Sequence, residues 1–220
     1  MNEKEKLAAS AASLAEKILS VGVNGAGPWK GSIPTAEEHL RQHADVEKAI
    51  DRLIATHVRI TAATGFATGV GGLITLPVAI PADMTTLWLM QGRLTGSIAH
   101  LRGYDVHSQE VQSLVLVTLL GSSGAEAMAK AGVTLGEKGA AALLGKVPGK
   151  VLIEINKKVG FRLLTKAGTT GVLNLTKFVP LAGGAVGGTV NGVSTNAVGA
   201  WAKRNFPATG AASASATQQG

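Results

Sequence analysis

The sequence predicts an all-α fold, a compact multi-helix bundle whose central helices are interrupted by glycine and proline. Apolar residues recur at helical spacing along most of the chain. Two long glycine-rich stretches, Ile60–Ala82 and Phe178–Ala202, carry no charge. Charged residues make up only 16% of the chain, against roughly 25% in a typical soluble domain. Few ionic side chains can cover the two stretches, so they are expected to pack together or to face something apolar.

Residues 1–34 are predicted to form an N-terminal helix and a Gly/Pro-rich linker. The helix carries a narrow apolar stripe, formed by Leu7, Leu14, Ile18 and Val21. Gly22–Pro34 is rich in turn-forming residues. Within it, Trp29 is a candidate core anchor, with an interfacial aromatic as the alternative. The N-terminus has no long apolar segment of the kind found in secretory signals, so a cytoplasmic location is expected.

A capping-box pattern, Thr35 followed three residues later by Glu38, predicts that the next helix begins here. The helix is expected to continue to about residue 63. Its inward stripe is formed by Val46, Ile50, Leu53, Ile54 and Val58.

Three histidines of this predicted helix lie close to one face. His39 and His43 have the i, i+4 spacing of metal ligands, and His57 lies too far along the helix to share an ion with them. Solvent-exposed histidines on a charged face explain the spacing equally well. With no cysteine in the chain either, the sequence predicts no metal site and no cofactor.

The first charge-free stretch is predicted to be two helical pieces broken near Pro77 and Pro81. A second apolar helix follows, with Asp83 in its first turn. There Asp83 is either a capping residue or a lone carboxylate at the mouth of an apolar cavity. The candidate ligand-binding residues are those around this break: Gly69, Gly72, Leu76, Asp83, Leu87 and Met90.

The middle of the chain gives two clear helix boundaries. Gly103 is predicted to follow the end of the second apolar helix, and Ser108 to begin a new helix that is apolar nearly all round. That helix is too short to span a bilayer, which needs about 20 residues, so a central place in the fold is expected.

A basic amphipathic helix is predicted from Lys150 to Lys166. Val151, Leu152, Ile155, Val159 and Leu163 form its apolar side. The basic side is either a solvated face over the core or a surface for anionic head groups, which the net charge of +7 also suits. Nucleic acid is not an expected partner, because no aromatic residues interleave with the basic ones. The candidate membrane-surface residues are Lys146, Lys150, Lys157, Lys158, Arg162 and Lys166.

The second charge-free stretch has small residues at every fourth position: Gly184, Gly188, Gly192, Asn196 and Ala200. This ridge permits close helix contact. It predicts a buried helix packed on the face formed by Gly65 and Gly69, with a membrane span as the alternative. Residues 207–220 are expected to be a disordered tail.

Several of these segments together resemble one family. The motifs are GGLITLP (residues 71–77), Pro81-Ala82-Asp83, the RGYD of residues 102–105, INKKVG (residues 155–160) and VPLAGG (residues 179–184). In these motifs the chain is similar to the EcsC protein family over about residues 44–206, within a predicted domain of residues 35–206. The resemblance implies a helical, bacterial, membrane-linked protein with no established reaction. The family takes its name from a protein encoded beside an ABC transporter.

No motif of a known catalytic class occurs in the chain, whether GxSxG, P-loop, HExxH or CxxC. The sequence favours a non-enzymatic protein that binds lipid or another apolar small molecule, or that lies peripherally on the inner membrane. The first alternative is an adaptor subunit of an ABC transporter or secretion complex. The second is a hydrolase of apolar substrates that uses Asp83 with His39 or His43.

Overall fold

A computed structural model describes residues 3–70, 82–120, 124, 126, 129, 148–153, 155–161 and 180–209. The described residues form an all-α bundle with no strand, which confirms the predicted fold class. The helices are α1 (Glu3–Lys17), a π-helix (Ile18–Val23), α2 (Ser32–His43), α3 (Val46–Val70), α4 (Ala82–Leu101), α5 (Gln109–Leu119) and α6 (Pro180–Asn205). Residues 149–153 and 155–161 are also helical and are called the basic segment below.

The N-terminal helix packs into the core of the bundle. Leu14 and Ile18 are buried in the main hydrophobic cluster, and Trp29 packs against that cluster as predicted for a core anchor. The π-helix lies close to α4, because a Cβ at Gly22 would stand 2.7 Å from the carbonyl oxygen of Leu89. The absence of a side chain at Gly22 thus lets two backbones approach.

The predicted capping box is wrong. Helix α2 begins at Ser32, with the extended Gly31 as its N-cap, so Thr35 already lies inside the helix. The Thr35 hydroxyl donates to the carbonyl of Gly31 at 2.7 Å, and Glu38 pairs with Lys30 instead of closing a box. Pro34 is tolerated because the first helical turn needs no N–H donor there.

The predicted continuous helix from residue 35 to residue 63 is also wrong. The chain breaks between α2 and α3, where Ala44 adopts a φ of 56°. A carboxylate oxygen of Asp45 accepts the backbone N–H of Lys48 at 2.7 Å, as an N-cap side chain does. Helix α3 therefore begins at Val46 as a separate helix.

Helix α6 packs antiparallel on α3, as the small-residue ridge predicts. A Cβ at Gly65 would stand 2.5 Å from the carbonyl oxygen of Gly187, and a Cβ at Gly188 would stand 2.9 Å from that of Ala62. Further along, Gly199 faces Ile54. The prediction that α6 is buried holds for this face only, since its opposite face is exposed.

The predicted boundaries of α4 and α5 are confirmed. Gly103 has a φ of 84°, its N–H bonds the carbonyl of His100, and the N–H of Tyr104 bonds that of Ala99, which is a Schellman ending. The Ser108 side chain caps α5 by accepting from the N–H of Val111. Helix α5 is buried nearly all round, as expected for a central element.

The two ends of the α3–α6 pair differ in composition. At the charged end, Lys203 of α6 pairs with Asp51 of α3 at 2.7 Å and with Glu47 at 3.5 Å, and Arg102, just after α4, also pairs with Glu47. The charge-free end comprises residues 60–70 of α3 and 180–193 of α6, which contain no charged side chain. The bundle thus has its ionic contacts at one end of this pair and none at the other.

Residues 207–209 are ordered, contrary to the predicted tail. The backbone N–H and the hydroxyl of Thr209 both donate to the carbonyl of Arg102, at 3.1 and 2.9 Å. The rest of the predicted tail lies outside the described residues.

Candidate functional site

Two of the six predicted ligand-binding residues come together in the structure. Leu87 and Met90 line a shallow depression between α3, α4 and α6, which Thr61, Thr64, Thr86 and Asn191 complete. The depression has no internal volume for a water molecule. Here the described residues therefore enclose no apolar cavity, and a ligand would need side chains to move.

Of the other four candidates, only the backbones of Gly69 and Asp83 belong to the described part of the structure. Gly69 lies near the end of α3, and Asp83 lies in the first turn of α4, as predicted. The side chain of Asp83 is outside the described part of the structure, as are Gly72 and Leu76 entirely. Their roles remain predictions.

A polar cluster holds the three helices together beneath the depression. The hydroxyls of Thr61 and Thr195 lie 2.9 Å apart, and the Gln91 amide donates to Ser194 at 3.1 Å and to Thr195 at 3.3 Å. These contacts satisfy groups that would otherwise be unpaired in the interior. The inner face of α6 is therefore small and polar rather than apolar.

One turn further along α4, a second group of side chains surrounds Arg93. Trp29, His57, Met90 and Arg93 are called the Arg93 cluster. The guanidinium carbon of Arg93 lies 5.2 Å from the centre of the Trp29 ring, and one of its terminal nitrogens, Nη2, lies 3.0 Å from the sulfur of Met90. A cation over an aromatic face is an attractive contact.

His57 is buried and neutral, contrary to the prediction of a solvent-exposed histidine. Its side chain is only 1% exposed. Burial, together with the charge of Arg93, lowers the pKa of His57 to about 4. Its Nδ1 bonds the carbonyl of Leu53 at 2.9 Å, so Nδ1 carries the proton and Nε2 accepts from Nε of Arg93 at 3.2 Å.

Arg93 has no carboxylate partner among the residues whose side chains the structure describes. Burial lowers its pKa, and no acidic neighbour offsets that effect. A charge in the interior is normally paired with an opposite charge. Arg93 relies instead on a neutral imidazole, a thioether and an aromatic ring.

Large exposed apolar side chains are concentrated in two places. At the charge-free end, α3 exposes Ile60 and Phe66, and α6 exposes Val186, Val190 and Val193, the last of these to 65%. The three valines lie on one face of α6 and point away from α3. Between residues 186 and 195, α6 therefore has most of its small and polar side chains inside and its valines outside.

The second place is the basic segment. Leu152, Ile155 and Val159 are buried, as the predicted apolar stripe requires. Lys150, Lys157 and Lys158 are exposed as predicted, together with the apolar side chains of Ile153 and Phe161. Lys146, Arg162, Leu163 and Lys166 lie outside the described residues. Exposed lysines here alternate with exposed apolar side chains.

Two absences apply to the described residues alone. No group of three His, Cys, Asp or Glu side chains is arranged to hold a metal ion there. Within the same residues, no helix has both the length and the hydropathy needed to cross a bilayer.

Neither Arg93 nor the role of His57 was predicted from the sequence. A signal was present, since Arg93 is the sole Asp, Glu, Lys or Arg between Asp83 and Arg102 in an otherwise apolar helix. Its neighbours Trp29 and His57 come from distant parts of the chain, and no sequence spacing points to their meeting.

Comparison of the chain with protein-family models, with curated proteins and with solved structures gives no match. The resemblance to the EcsC family therefore stays a prediction based on its motifs.

Proposed function

We propose that this protein is non-enzymatic and binds peripherally to an anionic lipid surface. The observation that carries the proposal is the location of the exposed large apolar side chains. All those of the described residues lie either at the charge-free end or on the basic segment: Ile60, Phe66, Val186, Val190, Val193, Ile153 and Phe161.

The charge-free end supplies the apolar contact. Burying one valine or phenylalanine side chain contributes about 1.5–3 kcal/mol, and five such side chains are partly exposed here. No charged residue lies within this end, so entering the head-group region would not strip water from an ion. The surface is suited to shallow insertion.

The basic segment supplies the electrostatic contact. Lys150 and Lys157 lie on the same exposed side as Ile153. A lysine near an anionic leaflet contributes about 1 kcal/mol, and the apolar side chain between them can enter the interface. The net charge of +7 favours approach to the same surface.

Vesicle co-sedimentation tests the proposal. The protein is mixed with vesicles of phosphatidylcholine alone, or of phosphatidylcholine with phosphatidylglycerol. We expect binding to the anionic vesicles, and a fall of about ten-fold in the partition coefficient for Val190→Glu and for Val193→Glu, because each loses one apolar contact. Gln42→Glu is the matched control, since it makes the same charge change at an exposed position on α2.

A second pair of substitutions separates the two contacts. Lys150→Gln with Lys157→Gln should weaken binding to anionic vesicles and reduce its salt dependence, while leaving any binding to neutral vesicles unchanged. Equal sedimentation of the wild type with and without vesicles would overturn the proposal.

The adaptor hypothesis predicts a different result in the same assay. An adaptor would ignore protein-free vesicles and bind only membranes that contain its transporter. An enclosed apolar ligand finds less support than a lipid surface, because the depression beside Leu87 and Met90 has no internal volume.

A further inference from the structure

The Arg93 cluster contains a positive charge that no described carboxylate neutralises. The Arg93 side chain is partly buried, and burial lowers its pKa. Among the described residues its partners are the neutral His57, the Met90 sulfur and the ring of Trp29. In a medium of low dielectric constant, an unpaired cation attracts an anion more strongly than at the surface.

The orientation of the guanidinium is fixed from one side. His57 is held by its bond to the Leu53 carbonyl and accepts from Nε of Arg93. No described residue accepts a hydrogen bond from Nη1, and Nη2 faces only the Met90 thioether, which is a weak acceptor. The two terminal nitrogens therefore keep donor capacity for an acceptor from outside the protein.

A second donor in the same cluster also lacks an acceptor. The indole Nε1 of Trp29 is buried and has no hydrogen-bond acceptor among the described residues. A pair of backbone bonds between Trp29 and Ala26, at 3.0 and 3.1 Å, holds its loop in place. A cation with two unused types of donor beside it, and no described carboxylate, is what an anion-binding site requires.

We propose that the Arg93 cluster binds an oxyanion, either a phosphate or a carboxylate, with Arg93 as the main donor. The inference deepens the proposed function, on which it rests for an anionic lipid as the source of the oxyanion. Met90 is unbranched and flexible, so its sulfur can leave Nη2 and let an oxygen take its place. Because Met90 also lines the depression beside Leu87, the acyl chain of an amphiphile could lie next to its charged group.

Calorimetric titration with soluble probes tests the inference without a membrane. The probes are inorganic phosphate, lysophosphatidic acid below its micelle concentration, and lysophosphatidylcholine as the zwitterionic counterpart. We expect lysophosphatidic acid to bind at least ten-fold more tightly than lysophosphatidylcholine. If inorganic phosphate binds with the same affinity as lysophosphatidic acid, the oxyanion is free phosphate rather than a lipid head group.

Three substitutions assign the binding to the cluster. Arg93→Gln should lower the affinity for the anionic probes at least ten-fold, and Trp29→Phe, which keeps a ring but removes the N–H, about three-fold. Arg93→Lys keeps the charge but loses the planar fork, and should bind more weakly than wild type and more tightly than Arg93→Gln. Arg59→Gln is the matched control, because Arg59 is exposed on α3; it should bind as wild type does.

The outcomes separate this inference from the proposed function. Unchanged affinity in a folded Arg93→Lys and Trp29→Phe protein, or no binding of either anionic probe, would overturn the inference while vesicle binding could stand. Probe binding that depends on Arg93, in a protein that ignores vesicles, would support the inference and overturn the membrane proposal. Circular dichroism and thermal unfolding of each variant establish that it is folded.

Discussion

The two ends of the α3–α6 pair are joined in opposite ways. At the charged end, side chains make the contact, because Lys203 of α6 pairs with Asp51 and Glu47 of α3. At the charge-free end, Gly65 and Gly187 bring the backbones together with no side chain between them. The comparison shows that one helix pair can be held by ion pairs at one end and by close backbone contact at the other.

The backbone contact has a consequence for the outer surface. Between Gly187 and Thr195, α6 meets its neighbours through glycine, asparagine and threonine, which leaves no inner position there for valine side chains. On α6 these side chains therefore lie on the opposite face, where Val186, Val190 and Val193 are exposed. The close contact inside and the apolar surface outside are two results of the same sequence pattern.

The largest expected effect comes from separating the backbones at the charge-free end. Gly65→Val places side-chain atoms where the Gly187 carbonyl and the Asn191 amide already lie, each 2.5 Å from the added Cβ. We expect a loss of about 3 kcal/mol or more in the free energy of unfolding, measured by urea denaturation. Gly149→Ala is the control, because an added Cβ there would have only Gln109 nearby, at 3.9 Å. Equal stability of the two variants would contradict the close contact.

A smaller effect is expected from pH, through His57, which lies on α3 between the two ends. Its pKa is lowered from 6.5 to about 4 by burial and then by Arg93, with a minor effect of His39. Below pH 6.5 the His57 imidazole therefore binds a proton in the unfolded chain but stays neutral in the folded protein until about pH 4. The contribution of the neutral His57 to the free energy of unfolding is fully present above pH 6.5. It falls as the pH drops, by about 1.4 kcal/mol at pH 5.5 and roughly 3 kcal/mol at pH 4.

Urea denaturation at a series of pH values measures this dependence. His57→Gln should flatten the curve between pH 6.5 and 4, whereas His107→Gln, at an exposed position, should keep it. An NMR titration that gives His57 a pKa near its ordinary value would contradict the buried neutral imidazole.

The smallest effect is expected at the charged end. Asp51→Asn removes the partner of Lys203, whose pKa is raised by its hydrogen bond to Asp51. Because both side chains are substantially exposed, the loss should be only about 0.5 kcal/mol and should shrink in high salt. Glu16→Gln, exposed on α1, serves as the control in the same thermal unfolding experiment. A loss of stability as large as that of Gly65→Val would contradict the expectation that the charged end contributes less than the charge-free end.

The sequence predicted those helix boundaries that depend only on neighbouring residues. Gly103 and Ser108 mark helix ends because a positive φ and a side-chain cap involve only neighbouring residues. The spacing of Gly188 and Gly192 predicted contact with α3 because close approach requires small residues. The break at Ala44 was missed, since alanine rarely adopts a positive φ and the Asp45 cap was hidden by a continuous apolar stripe.

The candidate site was harder to predict, because its parts are distant in sequence. Leu87 and Met90 were found through the apolar pattern of α4. The exposed apolar face of α6 was not predicted, because the apolar pattern shows which residues share a face of a helix but not which face is buried. Trp29, His57 and Arg93 meet only after three segments have packed, so composition alone could not bring them together.

The contact between the first and last long helices also sets an order of events during synthesis. Thr61 and Thr195 are hydrogen-bonded across 134 residues of sequence. At typical ribosomal speeds, α3 leaves the ribosome on the order of ten seconds before α6 arrives. During that interval its glycine face has no native cover, so a nascent chain stalled before α6 should be the form of this protein that chaperones and proteases recognise most readily.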